Sequence, residues 1–300
     1  MADRPLGGVL APIATLFDAD GELDLAGYAK NVDWYCSSAL DGIVIMGSNG
    51  EFASLELDEK LRLIEAGASA ANGRRLVLAG TGHESTRGTI RLTKAAAEMG
   101  VDYALIVTPY YYRPRYDTAA FLKHYHAVAD ASPIPIIVYI MTAYTGVDLP
   151  SALVAQLSRH PNIVGVKDSA GNAVKFAEMV SESEEGFAVL AGSANFLYPA
   201  LCLGAAGGIL ALADIAPAEC AQVMELFLAG DHDAARKAQF NLLAPNAAVT
   251  TRFGIAGLKA AMEMVGLTSS DPRLPMLPAT DAERREIRSI LEHAGILAAG

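Results

Sequence analysis

The chain has 300 residues, of which 52% are hydrophobic and 19% charged, with a formal net charge of −11. That length admits one large domain or two ordinary ones, and the apolar fraction supplies core enough for either. The acidic balance speaks against nucleic acid and anionic membrane surfaces as partners, and no apolar run reaches the roughly 18 to 20 uncharged residues of a membrane span. Met1–Pro5 lacks the basic region and hydrophobic core of a signal peptide. Cys36, Cys202 and Cys220 are widely spaced in apolar helical contexts, which predicts small core residues rather than a disulfide framework or a zinc site. The expected location is the cytoplasm.

From the N-terminus, apolar runs of strand length alternate with helix-period segments. Gly8–Phe17 and Gly42–Gly47 are the first two strand candidates. The amphipathic helix Leu57–Ala71 follows, with Leu61, Ile64 and Ala68 recurring at helical spacing. Arg75–Gly80 precedes the helix Thr86–Met99, and Tyr103–Thr108 precedes Thr118–Ala129. Ile134–Ile140, Ile163–Lys167, Phe187–Gly192 and Gly207–Ala211 complete the strands. Gly73, Gly100 and Gly186 stand at expected helix C-caps, with Ser85, Asp117 and Ser151 near helix starts. Such runs show no polar alternation, so each strand is buried on both faces, as in a parallel sheet. Eight βα units predict an α/β fold, a (β/α)8 TIM barrel, with a doubly wound open sheet as the alternative.

The barrel is expected to occupy residues 1–230 and to carry the active site. Residues 231–300 show helical patterns at His232–Leu243, Gly254–Val265 and Asp281–Ala294, joined by a Pro-rich connector at Ser269–Pro278. This tail reads as a helical region appended to the barrel and packed on it.

Barrels of this kind place their chemistry at the C-terminal strand ends. Ile163-Val164-Gly165-Val166 runs directly into Lys167, and an ammonium there is costly unless it is paired or discharged. A discharged lysine is an amine nucleophile toward a carbonyl. Tyr139 ends the neighbouring strand, within reach of the same substrate, and a phenol there can move protons to and from a substrate hydroxyl. The second strand ends in Gly47-Ser48-Asn49-Gly50-Glu51; its hydroxyl and N–H groups suit a carboxylate, although the run taken alone is an ordinary turn. Tyr110-Tyr111-Tyr112 fits strand-end packing or an aromatic patch used in oligomerisation. Gly80-Thr81-Gly82 and Gly204–Gly208 are too short and wrongly placed for a dinucleotide fingerprint. His124 and His126 lie about 200° apart on one helix and cannot chelate together, which disfavours a metal-dependent aldolase.

These residues carry a resemblance. With Gly47-Ser48-Asn49-Gly50-Glu51, Val107-Thr108-Pro109-Tyr110-Tyr111, Tyr139, Gly165-Val166-Lys167-Asp168 and Leu190-Ala191-Gly192, the chain resembles the pyruvate-dependent class I aldolases that include dihydrodipicolinate synthase and N-acetylneuraminate lyase. The likeness runs from about Gly8 to Val265. His160–Gly165, Pro245–Thr250 and Arg252–Ile255 make it most similar to the 4-hydroxy-2-oxoglutarate aldolases. The resemblance implies a Schiff base with pyruvate at Lys167 and a general acid/base in Tyr139. Tyr139 would be linked through Ser48 to Tyr111, which in the family reaches in from a neighbouring subunit. Asn49 and the Gly47 turn would hold the pyruvyl carboxylate, with Gly192 and Ile209 lining the imine pocket. It further implies no cofactor, no metal, small-molecule substrates (pyruvate and an aldehyde) and a homotetramer built as a dimer of dimers.

Two positions depart from the family pattern. Thr142 stands where proline is usual, and Tyr144 stands where the synthases carry an arginine that binds the aldehyde partner's carboxylate. Retro-aldol cleavage of 4-hydroxy-2-oxoglutarate to pyruvate and glyoxylate is the expected reaction. Dihydrodipicolinate synthase activity, another aldehyde partner, or a non-catalytic keto-acid-binding barrel are the alternatives.

Overall fold

The computed structural model describes residues 5–298. Met1–Arg4, part of the segment read above for a leader, lie outside the described residues, as do Ala299 and Gly300. Eight parallel strands pair in chain order into a closed barrel: β1 (Gly8–Ala11), β2 (Gly42–Ile45), β3 (Leu76–Gly80), β4 (Tyr103–Val107), β5 (Ile136–Ile140), β6 (Ile163–Asp168), β7 (Ala188–Ala191) and β8 (Gly207–Ile209). β8 closes onto β1 through Gly8↔Gly207, Val9↔Gly208 and Leu10↔Ile209. The open-sheet alternative is thereby excluded.

Strand alternation sorts the apolar side chains into two cores. Leu10, Val44, Leu78, Leu105, Ile137, Leu190 and Ile209 fill the barrel interior. Their neighbours Val9, Ile43, Ile45, Val77, Ile106 and Val138 face outward into the shell of helices. Both faces are buried, which is why these strands carry no polar alternation. Every predicted strand is present; seven are shorter than their apolar runs, and β6 runs one residue past Lys167 to Asp168. β1 stops at Ala11 because Pro12 has no N–H to give the ladder. Phe17, at the end of the expected run, instead makes an isolated antiparallel bridge with Leu23.

The helix Leu57–Ala71 has the predicted bounds, and Ser85 and Asp117 cap Thr86–Glu98 and Thr118–Ala131 through their side chains. Cys36 and Cys220 are buried as expected. Cys202 is exposed, a correction: it is the last residue of the six-residue helix Leu197–Cys202, whose buried residues are Leu197, Ala200 and Leu201.

Beyond the barrel, His232–Ala247 continues through Pro245, passes into a π-helical turn at Ala248–Arg252, and leads to Gly254–Met264 and Asp281–His293. This region is fastened to the mouth of the barrel by buried charges. Lys259 Nζ lies 2.6 Å from Glu51 Oε1, and the Arg273 guanidinium bonds both oxygens of Glu59, at 2.7 and 2.6 Å. Glu51 is the last residue of the Gly-Ser-Asn-Gly-Glu turn, so the C-terminal helices hold the turn that β2 delivers to the mouth. No helix among the described residues is long and apolar enough to cross a membrane.

Candidate active site

Tyr139 on β5 and Lys167 on β6 are register partners. Residues paired across two strands point to the same face, here the barrel interior at its C-terminal end. Lys167 Nζ sits 4.3 Å from the centroid of the Tyr139 ring. Both side chains are buried, Lys167 with 3% of its surface exposed. No carboxylate among the described residues forms an ion pair with this amine. The next residue, Asp168, points to the opposite face, where it pairs with Lys175 at 3.1 Å and accepts from the Ala170 N–H at 2.7 Å; Lys175 also pairs with Asp148. Strand alternation therefore separates the charges of two adjacent residues.

The turn after β2 supplies the polar wall. Gly50 N–H donates to Gly47 C=O at 3.0 Å and Glu51 N–H to Ser48 C=O at 3.1 Å. The Ser48 and Asn49 N–H groups have no acceptor among the described residues and are available to an anion. Ser48 Oγ lies 3.2 Å from Tyr139 Oη, within reach for a shared proton. Asn49 Nδ2 donates to Asp214 Oδ2 at 3.3 Å.

Ser48, Asn49, Tyr139, Tyr144, Lys167, Gly192 and Ile209 line one small cavity of about 60 Å³. Gly47 lines an adjoining space with Ser48 and Tyr139. The glycine at 192 is demanded by contact: a Cβ there would fall 2.1 Å from Ser169 Oγ and 2.8 Å from Asp168 C=O. Tyr144, in the short helix Thr142–Thr145, stands at the rim with 59% of its surface exposed. Partial burial and the neighbouring Tyr139 phenol raise its own phenol above the usual range. Tyr111 is apart from this set. It is 72% exposed, stacks edge-on against Tyr112, and its N–H donates to Glu84 at 2.8 Å.

Asp214 was not foreseen from the sequence. It lies in the turn Ala211–Asp214 after β8, is wholly buried, and has one oxygen, Oδ1, with no hydrogen-bond partner. Burial pushes its carboxyl well above the ordinary range, opposed by the Asn49 hydrogen bond and by the positive charge of Lys167. One signal was available: Asp214 is the lone charged residue in the apolar stretch from Gly207 to Ala218. Val249, Thr250, Gly254 and Ile255 also line the cavity, so the π-helical turn of the C-terminal region roofs it.

His124 bonds Thr86 Oγ1 at 2.9 Å, and burial lowers its imidazole to about 4. No group of three metal-ligating side chains is found among the described residues.

The model of the dihydrodipicolinate synthetase family matches residues 5–294. A protein of Emericella nidulans named "Probable 4-hydroxy-2-oxoglutarate aldolase, mitochondrial" is 36% identical over 294 residues, 96% of this chain and 95% of that one. The 4-hydroxy-tetrahydrodipicolinate synthase of Exiguobacterium is 34% identical over 285 residues, 95% of this chain and 97% of its own. Among solved structures, the dihydrodipicolinate synthase of Acinetobacter baumannii complexed with pyruvate superposes with a TM-score of 0.92 at 33% identity, covering 97% of this chain and all of the other.

Proposed function

Because the chain belongs to the dihydrodipicolinate synthetase family, we propose that it is a carbon–carbon lyase working through an imine between Lys167 and pyruvate. The observation that carries this reading is the buried amine of Lys167, without a carboxylate partner, beside the Tyr139–Ser48 pair. The solved relative from Acinetobacter baumannii is a complex with pyruvate, which supports pyruvate as the keto acid.

In the cleavage direction, the Lys167 amine adds to the C2 carbonyl of a 4-hydroxy-2-keto acid, and loss of water leaves a protonated imine. Tyr139 takes the proton of the 4-hydroxyl. The C3–C4 bond breaks, its electron pair remains on C3 as an enamine, and C4 departs as an aldehyde. Protonation of C3 and hydrolysis return pyruvate and the free amine. Ser48 passes the phenolic proton onward, and Tyr111 of a second copy completes the relay. Its exposed ring fits an outward reach. Asn49 and the free N–H groups of the turn bind the pyruvyl carboxylate, with Gly47, Gly192 and Ile209 shaping the space around the imine.

The aldolase from Emericella nidulans, at 36% identity, favours 4-hydroxy-2-oxoglutarate as the substrate cleaved, to pyruvate and glyoxylate. The synthase reading is favoured by the Exiguobacterium relative, but Tyr144 gives it no guanidinium for the carboxylate of aspartate semialdehyde. The setting is a cytoplasmic homotetramer, a dimer of dimers, needing no cofactor, in which residues 1–230 carry the chemistry and 231–300 brace it.

Release of pyruvate from 4-hydroxy-2-oxoglutarate by the purified protein tests the named reaction. Turnover exceeding that of pyruvate condensing with aspartate semialdehyde is expected. The reverse order would assign the synthase reaction instead.

A further inference from the structure

Glycine adopts a positive φ at no steric cost and ordinarily takes such positions in a turn. In the Gly47–Glu51 run neither Gly47 nor Gly50 has a positive φ. The left-handed residues are Met46, at 57°, and Glu51, at 52°, which close the run at its two ends. The one other such side chain among the described residues, Asn72, caps the helix Leu57–Ala71, an ordinary place for asparagine. The two glycines answer to space instead. A Cβ at Gly47 would fall 3.3 Å from Pro12 Cβ, and one at Gly50 would fall 3.0 Å from Met46 Cα and 3.2 Å from the Ile13 carbonyl oxygen. Met46 in turn lays its carbonyl against β3, where a Cβ at Gly80 would meet that oxygen at 2.1 Å. The chain thus leaves β2 through a left-handed Met46, folds back tightly on it, and leaves the turn through a left-handed Glu51.

Side chains hold that conformation only where their surroundings impose it, and such residues gather at functional sites. At the far end of the turn the imposing contacts are those of the Glu51 carboxylate. It is buried, with Oε1 2.6 Å from Lys259 Nζ and Oε2 accepting from the Arg273 N–H at 2.8 Å. Both partners belong to the C-terminal region. Thr15 Oγ1 adds a bond of 2.7 Å to the Gly50 carbonyl. Between these anchors lie Ser48 and Asn49, whose side chains reach Tyr139 and Asp214 and whose N–H groups are left for an anion. We propose that Glu51 is a positioning residue for the keto acid: its grip on Lys259 and Arg273 holds the turn in the shape that offers the Ser48 and Asn49 N–H groups to the substrate carboxylate. Glu51 itself touches no substrate atom. Its effect is preorganisation, since donors fixed beforehand lose no freedom on binding, whereas a relaxed turn must be ordered each time. The inference rests on the reading of Lys167 as the imine-forming amine and of the turn as the carboxylate holder, and it names what keeps that holder in shape.

The test measures borohydride trapping of pyruvate on the whole protein as a function of pyruvate concentration, with urea unfolding run beside it. Glu51→Gln keeps an oxygen for the Arg273 N–H and removes the charge that Lys259 holds. The pyruvate concentration for half-maximal trapping should rise about tenfold, the scale of one hydrogen bond to a charged group, while the maximal extent stays that of the parent. Glu51→Gln/Lys259→Met removes both charges, so its urea midpoint should return toward the parent's while the half-maximal concentration stays raised. That double variant also carries the test where the single one does not fold. An unchanged half-maximal concentration in a folded variant overturns the inference and leaves the lyase reading intact. So does a double variant that regains pyruvate affinity together with stability, because Glu51 would then support the fold alone. A lower maximal extent at an unchanged half-maximal concentration would place the effect on the amine and overturn it likewise. Absence of any adduct in the parent removes both.

Discussion

Lys167 and Lys259 are buried to the same depth, with 3% and 2% of their surfaces exposed, and each ammonium lies over an aromatic ring, Tyr139 at 4.3 Å and Phe17 at 4.6 Å. Their remaining neighbours differ in kind. Lys259 is bound by Glu51 at 2.6 Å, by Ser270 Oγ at 3.3 Å and by the Asp271 carbonyl at 3.0 Å. Burial lowers its ammonium, and Glu51 pulls it back up. Lys167 has no such cage; Asp214, the carboxyl whose charge it feels, accepts a hydrogen bond from Asn49 at 3.3 Å and forms no ion pair with Lys167. One lysine spends its charge fastening the C-terminal helices to the barrel mouth. The other keeps its amine available, which is the condition for attacking a carbonyl.

The contrast is tested most severely by removing each amine. Lys167→Ala should abolish turnover while leaving the unfolding midpoint in urea near that of the parent. Lys259→Met should leave Glu51 buried without a cation and cost about 3–5 kcal/mol of stability, read from the same urea transition. A comparable stability loss in both variants would erase the distinction. His124 lies outside both clusters and supplies the pH control. Its folded pKa is depressed, so its contribution is complete above the unfolded value of about 6.5 and is lost as pH falls through the folded value of about 4. The loss amounts to about 3 kcal/mol, and His124→Gln should flatten the stability profile across that window; an unchanged slope would contradict it.

Smaller effects refine the catalytic side. Tyr139→Phe keeps the ring over Lys167 but removes the proton carrier, so kcat should fall about 10²-fold while pyruvate trapping persists. Loss of trapping in that variant would make Tyr139 a support for the amine instead. Asp214→Ala frees the Asn49 amide and should raise KM for pyruvate about tenfold with less change in kcat, on the scale of one hydrogen bond to a charged group. Asp214→Asn, which can still accept from Asn49, should recover most of the loss. A fall in kcat alone would show that Asp214 acts on the amine and not on the carboxylate turn.

The barrel was legible because burial on both strand faces writes itself as uninterrupted apolar runs, and the strand ends then named Tyr139, Lys167 and the Ser48-Asn49 turn. Their pairing as register partners is what a closed barrel adds to that list. Strand ends were less legible, since Pro12 ends β1 while the apolar run continues to Phe17. Asp214 escaped because its importance is a meeting across 165 positions of chain with Asn49, made by barrel closure and invisible to local pattern. The Glu51–Lys259 fastening escaped for the same reason. Tyr144 was read as a departure from the family's arginine, and it stands exposed at the rim of the cavity that Lys167 lines.

The most direct measurement is borohydride reduction of the protein in the presence of pyruvate, followed by peptide mapping of every lysine. The account predicts the reduced pyruvyl mass on the peptide containing Lys167, with Lys259 and Lys175 unmodified. An adduct on either of those paired lysines with Lys167 bare, or no adduct anywhere, would contradict it.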